Sequence, residues 1–292
     1  IDTIVKEAKE MGYLSLGLTD RLKIHGLIKF YKSCVNHGIK PLLGMEIVIR
    51  SEKYSDILCL VYAKNDQGYQ SLMKLSSFLS IHEDHIDLHQ FNEFNQGLIL
   101  VPVIDRGDLL QFQDASYLDI LKELLVDMEK HVQDFFLGFS SLDLDEELYK
   151  ALIKDWNLIL VNPVKYIDPT DVEASDVLKR ILRNEYDKSG FFDDHHGLEH
   201  LLSQDELRDF EQKYTDLMKH TYQMIESIDV RLHFNQLYLP KYPSQGMSSI
   251  RKLKTLTEKG LKRRLIQKGK YKSDYDLYHR RLEHEMAIIE NM

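Results

Sequence analysis

Hydrophobic and polar residues alternate along the chain with two distinct periods. Short, continuously apolar segments, typical of buried strands, occur at 13–18, 41–50, 56–63, 97–104, 134–139 and 157–162. Between them, apolar residues recur at helical spacing in 2–11, 26–37, 68–80, 117–130 and 144–155. Apolar strands that alternate with amphipathic helices predict an α/β fold with a mostly parallel sheet, buried on both faces. Five or more such units favour a β/α barrel over a small open sheet, although the pattern alone is compatible with both.

The pattern changes after residue 161, where helices replace strands. Asp168 can cap the free N–H groups of a helix and Pro169 suits its first position, so we expect a helix from there to about residue 182. Residues 184–200 are polar and contain glycines, which is typical of a loop. Ser203 and Glu206 have the spacing of a capping box and predict a further helix that ends near residue 228.

A segment rich in proline and glycine, YLPKYPSQG at 238–246, separates this region from two strongly amphipathic helices. We therefore predict two domains, residues 1–237 and residues 238–292. The apolar stripes of both helices need a partner surface. The first stripe consists of Ile250, Leu253, Thr257 and Leu261, and the second, in a helix capped by Ser273, of Tyr275, Tyr278, Leu282, Met286 and Ile289.

The charge of the chain is distributed unevenly. Its 292 residues carry a formal net charge of −9, and 43% hydrophobic with 29% charged residues is a globular composition, which excludes a disordered chain. Residues 231–292 contain 14 Lys and Arg against 6 Asp and Glu, or +8, so residues 1–230, with 24 against 41, carry −17. An acidic body with a basic tail suggests two units with different neighbours, because cations attract nucleic acid. A solvated, lysine-rich helix face is the alternative explanation.

Neither a membrane nor an oxidising compartment is indicated by the composition. No apolar run reaches the roughly 18 residues that cross a bilayer. The chain has 2 cysteines, Cys34 and Cys59, which form no CxxC pair. This usage favours a reducing cytoplasm and argues against a thiolate zinc site.

Two histidine clusters are candidates for metal binding. In the segment HEDHIDLH, a helix would align His82, His85 and His89 on one face, where imidazoles can bind zinc. The segment lies between a predicted helix and a buried strand, which favours an exposed polar connector. His195 and His196 are adjacent, so they point in different directions in regular structure, and a solvated loop is the simpler interpretation.

The ends of the predicted strands carry the more informative polar residues, because chemistry in β/α barrels collects where strands end. Asp20 and Arg21 follow the first strand, Glu46 lies in the next, and Lys165 follows the strand at 157–162. A pair of carboxylates can hold a divalent metal ion. With Arg21 and Lys165 nearby, ion pairs between these side chains are the simpler expectation.

Several separate motifs carry a family resemblance, and they occur in the right order along nearly the whole chain. They are LGLTDRLKIHGLIKFYKSCVNHGIKPLLGMEI at 16–47, VYAKNDQGYQSLMKLSS at 61–77, NPVKYIDPTDVEASDVLKRI at 162–181 and YHRRLEHEMAIIENM at 278–292. The chain resembles the PHP (polymerase and histidinol phosphatase) domain of bacterial replicative DNA polymerases, in particular the DNA polymerase III α-subunit family, DnaE class. This resemblance implies a distorted, TIM-like PHP barrel of about seven strands, whose first strand is expected before Ile1, followed by helices that lead into a polymerase palm.

The departures from the family's metal-binding pattern change what the resemblance implies. Active members bind metal ions through His, Asp and Glu and hydrolyse phosphoesters. Asp20 and Glu46 match ligand positions of the family, and its HxH motif is expected before the first residue of this chain. Arg21, however, stands where the family has His, and Pro163-Val164-Lys165 stands where it has Asp-x-His. Because Arg and protonated Lys offer no lone pair and repel cations, we expect a vestigial, metal-free pocket held by ion pairs.

The resemblance implies a fragment of a replicative polymerase whose PHP domain is structural, with no catalytic residues and no cofactor of its own. The full-length protein would be a DNA-directed DNA polymerase that uses Mg²⁺. Two alternatives for the PHP unit are a metal-dependent phosphoesterase or 3′–5′ exonuclease, and a docking module for replisome subunits. The expected partners are the remaining polymerase domains, template-primer DNA, and the sliding clamp or other replisome subunits. Contacts with DNA phosphates are expected from Lys262, Arg263 and Arg264, unless these form a solvated or ion-paired face.

Overall fold

The structure is a computed structural model that describes residues 1–50, 56–82, 85–105, 117–140, 146–175, 177–178, 181, 199–234, 242 and 246–291. The chain forms two compact units, Ile1–Leu232 and His233–Met292. Within the described part of the chain, no helix is both long and apolar enough to cross a membrane.

The larger unit alternates strands and helices along its first half, as predicted. Its described helices are α1 (Asp2–Glu10), α2 (Leu27–His37), α3 (Asp66–Ile81), α4 (Leu88–Asn92), α5 (Tyr117–Glu129), α6 (Glu146–Leu152), α7 (Gln204–Lys213) and α8 (Thr215–Ser227). Its described strands are β1 (Ser15–Leu18), β2 (Lys40–Arg50), β3 (Ile57–Ala63), β4 (Ile86–Asp87), β5 (Leu98–Pro102), β6 (Asp134–Phe135), β7 (Leu137–Phe139) and β8 (Leu158–Leu160). The α/β fold class is therefore confirmed.

The main sheet has the strand order β1-β2-β3-β5-β6, and β4 pairs with the far end of β2. β2 runs parallel to β1 and antiparallel to β3, which in turn runs antiparallel to β5. A bridge between Val103 and Gly138 links the end of β5 to β7, which pairs in parallel with β8. Because the two antiparallel pairings cancel, β1, β2, β5, β7 and β8 all point in the same direction.

The reversed direction of β3 is an antiparallel exception within the mostly parallel sheet that the sequence predicts. β2 ends at Arg50 and β3 begins at Ile57, so only residues 51–56 connect them. A parallel crossover needs about a dozen residues or more, whereas an antiparallel return needs only a few. All seven residues of β3 are nevertheless buried, as is every residue of β5, which confirms the expectation of strands buried on both faces.

Of the two helices predicted after residue 161, the first is confirmed in its described residues and the second is partly wrong. Asp168 caps the first helix, because its Oδ1 accepts a hydrogen bond from the Thr170 N–H at 2.8 Å. Its first turn, Pro169–Asp171, is a 3₁₀ helix, and residues 172–175, 177–178 and 181 are α-helical. The single helix predicted from Ser203 to about residue 228 is two helices, α7 and α8. They are separated at Tyr214, whose φ of −130° and ψ of 58° leave the helical range. The predicted loop at 184–200 falls mostly outside the described residues.

The smaller unit is a pair of helices, α9 (Ser249–Gln267) and α10 (Tyr271–Glu290). The Ser248 side chain caps α9 by accepting a hydrogen bond from the Arg251 N–H. The prediction that Ser273 caps α10 is wrong, because α10 already begins at Tyr271 and the Ser273 hydroxyl donates back to the Lys270 carbonyl at 3.4 Å.

The two helices pack as an antiparallel hairpin. The Thr257 hydroxyl near the middle of α9 lies 3.9 Å from the Met286 sulfur near the end of α10, and both side chains belong to the stripes predicted from the sequence. Leu265 and Met286 are buried, whereas Ile250, Tyr278 and Ile289 remain exposed. The stripes therefore pair with each other only in part.

Candidate functional site

The backbone brings Asp20, Arg21 and Glu46 together at the end of β1. The Glu46 N–H donates to the Asp20 carbonyl at 3.2 Å, and the Leu22 N–H donates to the Glu46 carbonyl at 2.9 Å. Arg21 and Glu46 are thereby partners in a parallel bridge. Partners in a parallel pair lie on the same face of the sheet, about 4.8 Å apart. Arg21 and Glu46, both half-buried, therefore share one face.

The Asp20 carboxylate points toward the amino end of α2. A Cβ atom placed on Gly26, the residue that precedes α2, would lie 3.3 Å from Asp20 Oδ2. Gly26 thus leaves the space that the carboxylate uses. The free N–H groups and the dipole of a helix start favour a negative charge there. Asp20 therefore has a stabilising neighbour other than a metal ion.

Directly after Arg21 the chain turns sharply at Leu22. Its φ of 57° lies in the left-handed region, which non-glycine residues rarely adopt. The Ser76 hydroxyl of α3 donates to the Leu22 carbonyl at 3.3 Å. The turn therefore follows directly on the backbone bridge between Arg21 and Glu46, which lies beyond the end of β1.

Lys165, the second cation of the predicted pocket, has its contacts with a different segment. Its N–H donates to the Glu199 carbonyl at 2.6 Å, and the next residue, Tyr166, forms a parallel bridge with His200. The Lys165 side chain is exposed. The structure therefore joins Asp20, Arg21 and Glu46 by backbone pairing, and joins Lys165 to the segment at 199–200.

A buried polar cluster next to Lys165 was missed in the sequence. His200 is 5% exposed, and its Nε2 lies 2.9 Å from Glu206 Oε1. The other Glu206 oxygen accepts hydrogen bonds from the Ser203 N–H at 2.8 Å and the Ser203 hydroxyl at 2.7 Å. Among the described residues, His200 Nδ1 is buried without a hydrogen-bond partner. The spacing of Ser203 and Glu206 revealed the capping box, but nothing local marked the histidine.

This environment shifts two pKa values. Burial favours the neutral form of Glu206, but hydrogen bonds from Ser203 and His200 outweigh it and lower the pKa of that carboxyl group. Tyr13, whose hydroxyl donates to the Leu202 carbonyl at 2.7 Å, has its pKa raised to about 12 by burial and by the nearby Glu206 charge. Both shifts keep Glu206 ionised and Tyr13 neutral at physiological pH.

The three histidines of the segment HEDHIDLH do not share a helix face. His82 ends α3, where its Nδ1 lies 3.0 Å from the Phe78 carbonyl oxygen. His85 Nε2 accepts a hydrogen bond from Arg50 at 2.9 Å, and His89 lies in the separate helix α4. The strand β4 and the helix α4 replace part of the predicted connector, because Asp87 forms a capping box with Gln90. His195 and His196 lie outside the described residues.

The cationic residues expected to contact DNA lie near the end of α9. Lys262, Arg263 and Arg264 are all exposed. Consecutive helical residues point about 100° apart, so the three side chains spread around the helix. Lys262 Nζ lies 5.8 Å from the centre of the Tyr271 ring at the start of α10.

Comparison with protein families decides what the larger unit is. The family model described as the PHP domain matches residues 1–171, more than half of the chain. The chain belongs to the PHP domain family. The PHP match includes Asp20, Arg21, Glu46 and Lys165, so all four residues of the expected pocket lie inside the matched region.

Beyond the PHP domain, the whole chain is similar to proteins named DNA polymerase III subunit alpha. The protein from Aquifex aeolicus (strain VF5) is 28% identical over 333 residues, covering 100% of this chain and 28% of that protein. The Escherichia coli (strain K12) protein is 26% identical over 318 residues, covering 99% and 27%. The Bacillus subtilis (strain 168) protein is 23% identical over 303 residues, covering 100% and 26%. The chain thus spans about a quarter of the length of these relatives.

A similarity to a solved structure is weaker. A crystal structure described as a metal-dependent phosphoesterase from Bifidobacterium adolescentis covers 73% of this chain and 90% of that one, with 11% identity and a TM-score of 0.38.

The side chains around Arg21 do not fit the metal ions that PHP sites bind. Glu46 offers carboxylate oxygens, which bind divalent cations, but its partner Arg21 has only N–H donors. In the described ranges, no three His, Cys, Asp or Glu side chains are grouped so that they could hold a metal ion.

Proposed function

We propose that the chain is the amino-terminal part of a replicative DNA polymerase α subunit and that its PHP unit braces the polymerase core without a reaction of its own. Similarity to DNA polymerase III α subunits over the whole chain supports the first part. In the full-length protein, the rest of the chain would carry Mg²⁺-dependent nucleotidyl transfer on template-primer DNA. The unit 1–237 would be the brace, and 238–292 would lead into the palm.

The backbone β-bridge between Arg21 and Glu46 is the main observation that supports a structural role. A half-buried carboxylate needs a compensating charge or hydrogen bonds. In a working PHP site a metal ion supplies that charge, whereas here Arg21, whose side chain carries a positive charge, is the residue paired with Glu46 on the same face of the sheet. The vestigial pocket of Asp20, Arg21 and Glu46 is then stabilised by the protein's own cation, Arg21, whereas Lys165 pairs with the segment at 199–200.

A metal titration tests this proposal directly. The purified chain is equilibrated with Zn²⁺ or Mn²⁺, and the bound metal is measured by mass spectrometry. We expect no stoichiometric metal that depends on the pocket. Metal that is lost in Glu46→Ala but kept in His85→Ala would contradict the proposal. Metal lost in His85→Ala alone would belong to the histidine segment and would leave the proposal standing.

A double-mutant cycle tests whether Arg21 compensates Glu46. We expect a coupling free energy of about 1 kcal/mol between Arg21→Ala and Glu46→Gln in urea unfolding, because both groups are half-buried. The exposed pair Arg208 and Asp205, 3.1 Å apart, is the matched control, and Arg208→Ala with Asp205→Asn should show coupling near zero. Equal coupling in the two pairs would mean that Arg21 has no special role.

A nuclease assay distinguishes a structural PHP unit from the alternative, a metal-dependent phosphoesterase or exonuclease. The chain is incubated with Mn²⁺ or Zn²⁺ and a single-stranded oligonucleotide labelled at its 5′ end, which detects shortening from the 3′ end. We expect no cleavage above a buffer control. Cleavage that disappears in Asp20→Asn would establish the phosphoesterase or 3′–5′ exonuclease instead.

A binding experiment tests the second alternative. Binding of the clamp or of other replisome subunits to the PHP unit would establish the docking module.

We also propose that the basic helix α9 contacts DNA phosphates. The exposure of Lys262, Arg263 and Arg264 and the charge of +8 over residues 231–292 support this contact. Replacing all three with Gln should weaken DNA binding and reduce its dependence on salt, since each lost phosphate contact lowers the salt slope by roughly 0.7 to 0.9. An unchanged affinity and slope would exclude phosphate contact by these residues.

A further inference from the structure

The turn that joins α9 to α10 concentrates positive charge. From Lys259 to Lys272 the sequence contains 7 Lys and Arg and no Asp or Glu. All of them are exposed: Lys259, Lys262, Arg263, Arg264, Lys268, Lys270 and Lys272. Of these, Lys270 has a carboxylate nearby, with its Nζ 3.8 Å from Asp274. Such a run creates a local potential that attracts a polyanion.

Aromatic rings lie directly beside these cations on α10. The ring centres of Tyr271 and Tyr275 are 5.1 Å apart, and those of Tyr275 and His279 are 5.4 Å apart. Tyr278 follows Tyr271 by two turns and therefore lies on the same side of the helix. Its side chain is 45% exposed, so it can offer a face of its ring to another molecule. The rings of Tyr271, Tyr275 and His279 thus form a ladder along α10.

One contact joins the charges to the rings. Lys262 Nζ lies 5.8 Å from the centre of the Tyr271 ring, within the range of a cation–π interaction. A cation of α9 and the first ring of the ladder on α10 thus form one surface. We call the seven cations with Tyr271, Tyr275, Tyr278 and His279 the turn surface.

We infer that the turn surface binds single-stranded nucleic acid. This inference rests on the proposed contact of α9 with DNA and specifies which form of DNA is bound. A duplex presents phosphates outside and keeps its bases stacked inside, so it can use the cations but not the rings. A single strand can pair its phosphates with the cations while its bases stack on aromatic side chains, as in other single-strand binders. The exposed ring of Tyr278 beside the exposed cations therefore favours the single strand.

The test compares single-stranded and duplex DNA on the whole 292-residue chain. Fluorescence anisotropy is measured with labelled oligothymidylate and with a labelled duplex of equal length, over a series of salt concentrations. We expect the single strand to bind more tightly than the duplex. Tyr278→Ala should weaken oligothymidylate binding about tenfold, the effect of losing one stacked base, and should leave duplex binding unchanged. Tyr278→Phe, which keeps the ring, should bind as the unmodified chain does.

Tyr222→Ala is the matched control, because Tyr222 is 47% exposed on α8 in the larger unit. It should leave both affinities unchanged, and circular dichroism should show that each variant is folded. Two results would overturn the inference. The first is that Tyr278→Ala binds oligothymidylate as tightly as the unmodified chain does. The second is that Tyr278→Ala loses equal affinity for the single strand and for the duplex. If Tyr278→Ala gives either result but the Gln variant of Lys262, Arg263 and Arg264 loses affinity for DNA, the proposed phosphate contact stands and only the preference for a single strand is wrong. If no variant changes DNA binding, both the phosphate contact and the preference for a single strand are wrong.

Discussion

At the scale of single residues, two glycines of the larger unit, Gly68 and Gly97, approach each other closely. The Gly97 carbonyl accepts a hydrogen bond from the Lys64 N–H at 2.9 Å, just before α3 begins. Gly68 in the first turn of α3 lies against the same peptide group, and a Cβ atom on Gly68 would collide with the Gly97 carbonyl and lie 3.1 Å from Ala63 Cα. The absence of a side chain at Gly68 therefore sets how closely α3 approaches the sheet.

Replacing Gly68 with Ala should be strongly destabilising. The added methyl group meets backbone atoms, which cannot move aside as the end of a flexible side chain can. We expect a loss of about 3 kcal/mol in the free energy of unfolding, the upper end of overpacking effects. Urea unfolding followed by circular dichroism measures this loss.

Gly260 provides the control for this substitution. It lies inside α9, and a Cβ atom placed on it would meet nothing within 4 Å. Gly260→Ala should raise the stability of its helix by about 1 kcal/mol, because alanine restricts the unfolded chain and favours the helix. Equal losses in the two variants would show that the close approach at Gly68 is not the cause.

At the scale of elements, the start of α7 is fixed by a reciprocal cap. The Ser203 hydroxyl accepts a hydrogen bond from the Glu206 N–H at 3.2 Å, while the Glu206 carboxylate accepts one from the Ser203 N–H at 2.8 Å. His200 adds a further contact to the same carboxylate. The start of α7 is thereby tied to the segment that pairs with Tyr166.

Removing the capping hydroxyl should weaken this attachment. We expect Ser203→Ala to lower the free energy of unfolding by about 1 kcal/mol, the usual effect of losing an N-cap side chain. Ser248→Ala, which removes the corresponding cap of α9, is the comparison in the other unit. If Ser203→Ala leaves the unfolding midpoint of the larger unit unchanged, the cap does not hold α7 in place.

The same carboxylate should make stability depend on pH. The pKa of Glu206 is lower in the folded chain than its ordinary value of 4.5. A carboxyl group with a depressed folded pKa stabilises the protein above its unfolded pKa, and this contribution is lost as the pH falls through the folded value. We expect the unfolding midpoint to fall more steeply below pH 4.5 in the unmodified chain than in Glu206→Gln. Parallel pH profiles for the two proteins would contradict this assignment.

The elements also show what the sequence could predict and why. Apolar periodicity located the strands and the first helices to within a few residues, because burial of β3 and β5 depends on local composition. The direction of β3 depends on the length of its connection to β2, which periodicity does not encode. The break at Tyr214 depends on distant packing, since its ring lies 5.2 Å from that of Tyr149. The same difference applies to the polar residues. The position of Arg21 beside Glu46 was expected from a local motif, whereas the burial of His200 depends on residues distant in the sequence.

At the scale of the whole molecule, the two units differ in how much they bury. The main hydrophobic core contains residues between Val5 and Val230, all within the larger unit. The helix pair α9 and α10 buries only Leu265 and Met286 among its described large apolar residues. Stability from apolar burial is therefore concentrated in the larger unit.

We expect this difference to appear when the chain is divided. A chain of residues 1–232 should unfold cooperatively in urea, because it keeps its entire core. A peptide of residues 246–291 should be only partly helical and should melt without a cooperative transition, since two buried side chains do not offset the entropy of ordering two helices. Circular dichroism during thermal and urea unfolding measures both. A cooperative melt of the peptide would show that the hairpin needs no partner surface, and loss of the transition in residues 1–232 would show that the large core depends on the helices that follow it.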